Sequence, residues 1–161
     1  MRLKRSRLDE YGYRKRVTEK DSEGTTFDTY SEAAAKFSGE VWPASGKVQA
    51  ETYGERLSYI RNVRINAKYF NATDESGKAH YLVQGTGGSK AAYVTKNGKS
   101  YRSATGEKLT VVNAKGSLPS SLIDLQELDG LCLYTGATGQ ADYKIISVKP
   151  ERFLRLEAEK L

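Results

Sequence analysis

At 161 residues, with 38% hydrophobic residues and a mean hydropathy of -0.63, the chain predicts one domain over residues 1–161, with a modest core and no large internal cavity. No run approaches the roughly 18 apolar residues that cross a bilayer, and no apolar segment follows the N-terminal charges, so neither a membrane span nor a signal peptide is expected. A formal net charge of +6 and a pI near 9.3 suit phosphates or acidic protein surfaces as partners, and the single cysteine excludes an internal disulfide.

Much of the positive excess sits at the start, where Arg2, Lys4, Arg5, Arg7, Arg14, Lys15, Arg16 and Lys20 face only Asp9, Glu10 and Glu19. Residues 1–10 read as a flexible basic arm, either solvated or laid against an anionic partner. Tyr11-Gly12-Tyr13 leads into a strand at 13–20 with little apolar material, which suits an edge strand or one paired across subunits. Asp21-Ser22-Glu23-Gly24 is a turn by composition. Strand material then spans 25–42, with a connector at 31–35 too short for a stable helix, and it stops where Pro43 cannot donate to a ladder.

A short helix is expected over 45–54, with Ser45 as start signal and Gly54 as stop. Only Val48, Ala50 and Tyr53 are apolar in it, so it is either a solvated surface helix or one that packs on another subunit. Residues 57–69 form a long strand: Leu57, Tyr59, Val63, Ile65, Ala67 and Tyr69 share one parity, and Arg56, Ser58, Asn62, Arg64, Asn66 and Lys68 the other. Ile60 and Arg61 break the alternation near its start.

Residues 70–127 form an insertion within the domain that reads as a small β meander. It has a loop at 71–77, a short strand at 79–84, a hairpin turned by Lys96-Asn97-Gly98, and a strand at 109–113. Leu122, Leu125 and Leu128, after Pro119, give helical spacing and predict a short helix over 119–128. Strands at 130–134, 143–148 and 153–158 close the chain, the last alternating Leu154, Leu156 and Ala158 with Arg155, Glu157 and Glu159. The expected fold is therefore mainly β, a small β-barrel or rolled antiparallel sheet with one short helix and a β-rich insertion.

Several of these segments carry a resemblance. Val17-Thr18, Glu40-Val41-Trp42-Pro43-Ala44-Ser45-Gly46, Gln49-Ala50-Glu51 and Val63-Arg64-Ile65 look like the head-closure (head-tail joining, or stopper) proteins of long-tailed bacteriophages. Leu128-Asp129-Gly130, Tyr143-Lys144-Ile145-Ile146-Ser147-Val148 and Leu154-Arg155-Leu156 resemble the closing strands of that family. The likeness covers roughly residues 11–69 and 128–158. That family passes quickly from the long strand to the closing hairpin, whereas here residues 70–127 intervene.

The resemblance implies a structural virion protein, made in the host cytoplasm, that forms a homo-oligomeric ring, dodecameric in the family. Such a ring would meet a portal or adaptor protein on one side and a tail terminator or tail-completion protein on the other, with packaged DNA in its lumen. A heterologous ring needs two different matching patches on each chain. One is expected from Arg2, Lys4, Arg5, Arg7, Tyr11, Tyr13 and Arg14 together with Val48 and Tyr53, while residues 77–102 reach toward the lumen or a neighbour.

The residues give little support to catalysis or to a cofactor. His80 is the one histidine, so neither Ser-His-Asp nor Cys-His chemistry assembles readily, and it reads as a structural or surface residue. Cys132, between two leucines, reads as a buried structural thiol. His80 and Cys132 alone cannot make a four-ligand zinc site. Gly85-Thr86-Gly87-Gly88-Ser89-Lys90 lacks the spacer of a phosphate-binding loop. The rival reading is a small basic β-barrel that binds nucleic acid, stacking bases on Tyr11, Tyr13 and Tyr59 beside Arg14, Arg16, Arg61 and Arg64.

Overall fold

The computed structural model describes residues 8–103, 106–112 and 117–161. Arg2, Lys4, Arg5 and Arg7 lie outside the described residues, as does Asn113 at the end of an expected strand. The chain forms two closed six-stranded antiparallel barrels in succession, one threaded into the other.

The first barrel is built from both ends of the sequence. Its strands are β1 (Asp9–Arg14), β4 (Ala35–Pro43), β5 (Ile60–Ile65), β13 (Gly130–Cys132), β14 (Tyr143–Pro150) and β15 (Leu154–Lys160), in the order β1-β13-β14-β15-β5-β4 and closed by pairing of β1 with β4. The expected strand at 13–20 divides at Lys15. β1 stays in the barrel, while β2 (Arg16–Lys20) turns away to pair with β3 (Thr26–Tyr30). This hairpin forms a ladder with no other strand among the described residues. Asp21 closes its tip by accepting on Oδ1 from the amides of Glu23 and Thr25.

The helix α1 (Lys47–Tyr53) starts after Gly46, which occupies a positive φ of 92°, and passes into a 3-10 turn, Gly54–Tyr59. That turn takes up residues 57–59 of the expected long strand. Of the rest, Ile60–Ile65 holds the expected parity, with Val63 and Ile65 in the core and Asn62 and Arg64 on the other face. Residues 66–68 leave the ladder and Tyr69 opens a separate strand, so the expected strand over 57–69 is cut to six residues. Gly12 is needed on β1 because a Cβ there would come within 2.2 Å of the Ala137 carbonyl oxygen, which packs the 134–139 loop against that strand.

The second barrel occupies the insertion. It comprises β6 (Tyr69–Thr73), β7 (Ala79–Val83), β9 (Val94–Asn97), β10 (Ser100–Arg102), β11 (Lys108–Val111) and β12 (Ser121–Leu125), ordered β10-β11-β6-β7-β12-β9 and closed by β9 on β10. The two-residue β8 (Gly87–Gly88) leaves this barrel to pair with β4 of the first. A meander is thus present in β9-β10-β11, but β12 returns between β7 and β9 and shuts it.

The helix expected over 119–128 is instead β12. Its leucine spacing misleads because both faces of the strand are buried: Leu122 enters the second core, and Ile123 and Leu125 join the first. A strand covered on both sides loses its two-residue period. β7 behaves alike, with Leu82 in the second core and Val83 in the first. These two strands are the wall between the barrels. The first core is completed by Tyr13, Phe37, Leu131, Ile145, Leu154 and Leu156, the second by Phe70, Tyr101 and Leu109.

Candidate functional site

The residues expected to form one contact patch are not brought together. Tyr13 has no exposure: its side chain points into the first core, and its hydroxyl reaches the Asp129 carboxylate and the Asp124 carbonyl. It therefore cannot touch a partner or stack on a base. Tyr11 is half-buried, its ring 5.9 Å from that of Phe37. Arg14 is committed within the chain, donating to the carbonyls of Ser31, Glu32, Thr138 and Gly139. Five N–H donors in a planar fork suit this clamp, which ties the foot of the hairpin to the 134–139 loop. An open cleft of about 490 Å³ beside it is lined by Arg14, Tyr30, Ser31, Glu32 and Gln140; the guanidinium's partners there are neutral carbonyls, which occupy its donors without cancelling its charge.

Val48 on α1 is 77% exposed, as a contact residue needs to be. Tyr53, at the other end of the helix, is half-buried. Burial, a hydrogen bond to Glu157 and the charge of that carboxylate push its phenol up to about 12. It anchors α1 rather than facing outward.

A further exposed apolar pair lies on the β2–β3 hairpin, part of which was expected as an edge strand. In the β2–β3 ladder Val17 pairs with Thr29 and Glu19 with Phe27, so Val17 and Phe27 stand diagonally on one face of the hairpin. They are 37% and 46% exposed. The opposite face is polar and internally satisfied: the Thr18 hydroxyl donates to Asp28, 3.0 Å away, and Arg16 pairs with the same carboxylate at 3.7 Å. The signal was available in the alternation of Val17 with Thr18 and of Phe27 with Asp28, but five-residue strands show it weakly. Tyr59 and Tyr134 are further exposed aromatics; Arg61 donates to the Tyr134 hydroxyl across 3.3 Å.

Two further groups bear on chemistry, Cys132 and the surroundings of His80. Cys132 is buried on β13 and burial pushes its thiol up, which keeps it in the poorly nucleophilic protonated form. His80 is 2% exposed and lies between two aspartates, Asp74 and Asp124. Among the described residues, Asp74, His80 and Glu107 are the group whose donor atoms converge closely enough to hold a metal ion. Comparison with family models, with curated proteins and with solved structures found no match.

Proposed function

We propose that this chain is a structural subunit of the connector between head and tail of a long-tailed bacteriophage, a head-closure protein that assembles as a ring and helps retain packaged DNA. The reading rests on the resemblance of segments that fall in β2, α1 and the first barrel with its adjoining turns. On that view the second barrel is an addition between β5 and β13.

One observation carries it. The β2–β3 hairpin pairs with no other strand among the described residues and shows Val17 and Phe27, 37% and 46% exposed, diagonally on the face they share with Glu19 and Thr29. A lone two-stranded hairpin is marginal in water, so such an element is built to be completed from outside. The exposed Val48 of α1 lies on a separate element and supplies the second, different patch that a heterologous ring contact requires. The basic residues Arg2, Lys4, Arg5 and Arg7 add charge for an acidic neighbour or for lumenal DNA. The nucleic-acid-binding alternative is weakened because Tyr13 is buried and has no ring face to offer a base.

The test is the mass of the purified chain by light scattering, alone and with an isolated portal or adaptor ring. Wild type is expected to form rings or to join the connector, and the double substitution Val17→Ser with Phe27→Ser to lose this while melting as before. A wild-type chain that stays monomeric in both settings would remove the proposal. Truncation of the basic arm has to stop at residue 7, since Asp9 and Glu10 already pair with Gly39 and Ser38 in the first barrel.

A further inference from the structure

One end of the second barrel gathers polar groups for which its apolar interior has no use. On β7, His80 points the same way as Leu82, into the barrel, and its side chain is 2% exposed. Its Nδ1 lies 3.0 Å from Oδ2 and 3.2 Å from Oδ1 of Asp124 on β12, and its Nε2 lies 2.9 Å from Oδ2 of Asp74 in the turn after β6. The amide nitrogen of Gln126 bridges Asp124 and Nδ1. The other Asp74 oxygen is spent on its own turn, accepting from the amides of Ser76 and Lys78 and from the Ser76 hydroxyl. Asp74 is thereby fixed with its free oxygen aimed at the ring. Glu107, from the turn between β10 and β11, brings a further carboxylate, so that one donor atom each of Asp74, His80 and Glu107 lie within 4.8 Å of one another.

A neutral imidazole has one N–H and one lone pair. Here both nitrogens meet carboxylate oxygens, and the Gln126 amide nitrogen also reaches Nδ1, so a neutral ring with its proton on Nε2 donates to Asp74 but leaves the Asp124 carboxylate facing the Nδ1 lone pair. A cation on one ring nitrogen, a proton or a metal ion, relieves that contact. A proton there leaves one imidazolium against three carboxylates, Asp74, Glu107 and Asp124. A divalent ion on the neutral ring removes more of that negative charge.

We infer that Asp74, His80 and Glu107 form a binding site for a divalent transition-metal ion of the zinc class. His80 Nε2 and one oxygen from each carboxylate are the ligands, and Asp124 accepts the Nδ1–H, with the Gln126 nitrogen turned off Nδ1 to donate to Asp124 alone. Bonds to zinc of about 2.0–2.1 Å at tetrahedral angles put neighbouring ligand atoms about 3.3–3.4 Å apart, so Nε2 and Asp74 Oδ2, which lie 2.9 Å apart, separate by about half an ångström to take the ion. A carboxylate that accepts the far N–H of a ligating histidine fixes its tautomer and ring orientation, which is the place Asp124 holds. Imidazole with carboxylates favours zinc or manganese over calcium. Glu107 is exposed, so the remaining coordination position opens to solvent and is filled by water. The ion would join the β6–β7 turn, β7 and the β10–β11 turn, closing this end of the barrel. The site is independent of ring assembly.

His80 is the chain's one histidine, so its imidazole nitrogen signals report the site without ambiguity. The full chain is stripped with EDTA and titrated with zinc chloride, followed by calorimetry and by imidazole 15N spectra. The expected result is one equivalent bound at micromolar concentration or tighter, with the Nε2 signal displaced. Glu107→Gln, an exposed change that leaves the barrel folded, is expected to weaken zinc at least tenfold, and Asp124→Asn about 10- to 100-fold. An imidazole spectrum unmoved at millimolar zinc, or equal affinity in wild type and Glu107→Gln, overturns the site. Zinc uptake without an imidazole shift counts against it too, since the ion is then elsewhere.

Discussion

The hydroxyl of Tyr13 lies 2.5 Å from Oδ2 of Asp129 and 2.6 Å from the Asp124 carbonyl oxygen, joining the first strand to residues more than a hundred positions away. Asp129 also accepts from Lys15 Nζ, from the Arg16 amide and from the Gln126 amide. This one carboxylate therefore fixes the point where the hairpin leaves β1 and the point where the chain returns from the second barrel. Removing the phenol oxygen takes a donor from a buried acceptor, which costs about 1–3 kcal/mol. Tyr13→Phe is expected to lower unfolding free energy by about 2 kcal/mol in urea titration, with the dependence on urea unchanged. A loss below about 0.5 kcal/mol would mean that Asp129 is satisfied without it.

The same pair sets an alkaline limit. Burial, then the charges of Asp129 and Asp124, hold the Tyr13 phenol well above its ordinary value of 10.0. The folded state keeps the proton that the unfolded chain gives up near that value, so this contribution is complete below about pH 10 and is lost as pH rises through the folded value. The stability difference between wild type and Tyr13→Phe is expected to hold constant from about pH 7 to 9 and to narrow above about pH 10. Urea midpoints of both proteins across that range decide it. A difference that widens with pH contradicts the assignment.

What the sequence made legible was local. The alternation of Val63 and Ile65 against Asn62 and Arg64, the Asn97-Gly98 turn between β9 and β10, and the short helix near Val48 all appear where expected, and the class is mainly β with a barrel. Closure of the insertion into its own barrel was not legible, because it depends on β12 pairing with β7 and β9, contacts without a local pattern. The same strand passed for a helix because two cores claim its two faces. Tyr13 passed for a surface residue because its buried acceptor is remote in sequence. His80 passed for a lone histidine for a like reason: Asp74, Glu107 and Asp124 reach it from three other segments, with no motif spacing to announce them.

The helix α1 is held by polar contacts, since none of its residues is fully buried. Gln49 donates to Asn62 at 2.7 Å and to Glu157 at 3.0 Å, and accepts from Asn62 and from the Ser45 amide. Burial would raise the Glu157 carboxyl, but the hydrogen bonds from Gln49 and Tyr53 and the charges of Lys149 and Arg155 outweigh it and leave it below the usual glutamate value. Gln49→Ala is expected to speed amide exchange in residues 47–53 about tenfold while β5 and β15 keep their protection, because a local opening costs less than unfolding the barrel. Equal loosening of β5 would show that the helix is part of the barrel's cooperative unit.

Leu122 and Ile123 are neighbours on one strand that belong to different cores, so the second barrel cannot come apart without uncovering the first. Leu122→Ala leaves a cavity in the second core and is expected to cost about 2–5 kcal/mol. The chain's single tryptophan, Trp42, sits on β4 of the first barrel, with the Arg64 guanidinium 5.0 Å from its ring, so its fluorescence reports that barrel alone. If the wall is shared, a substitution in the second core must shift the Trp42 transition as far as it shifts the circular dichroism of the whole chain. Coincident midpoints in wild type and in Leu122→Ala are the expected result. Were the Trp42 midpoint to stay put while part of the dichroism is lost early, the barrels would be separate folding units, and the double face of β12 would be packing without cooperativity.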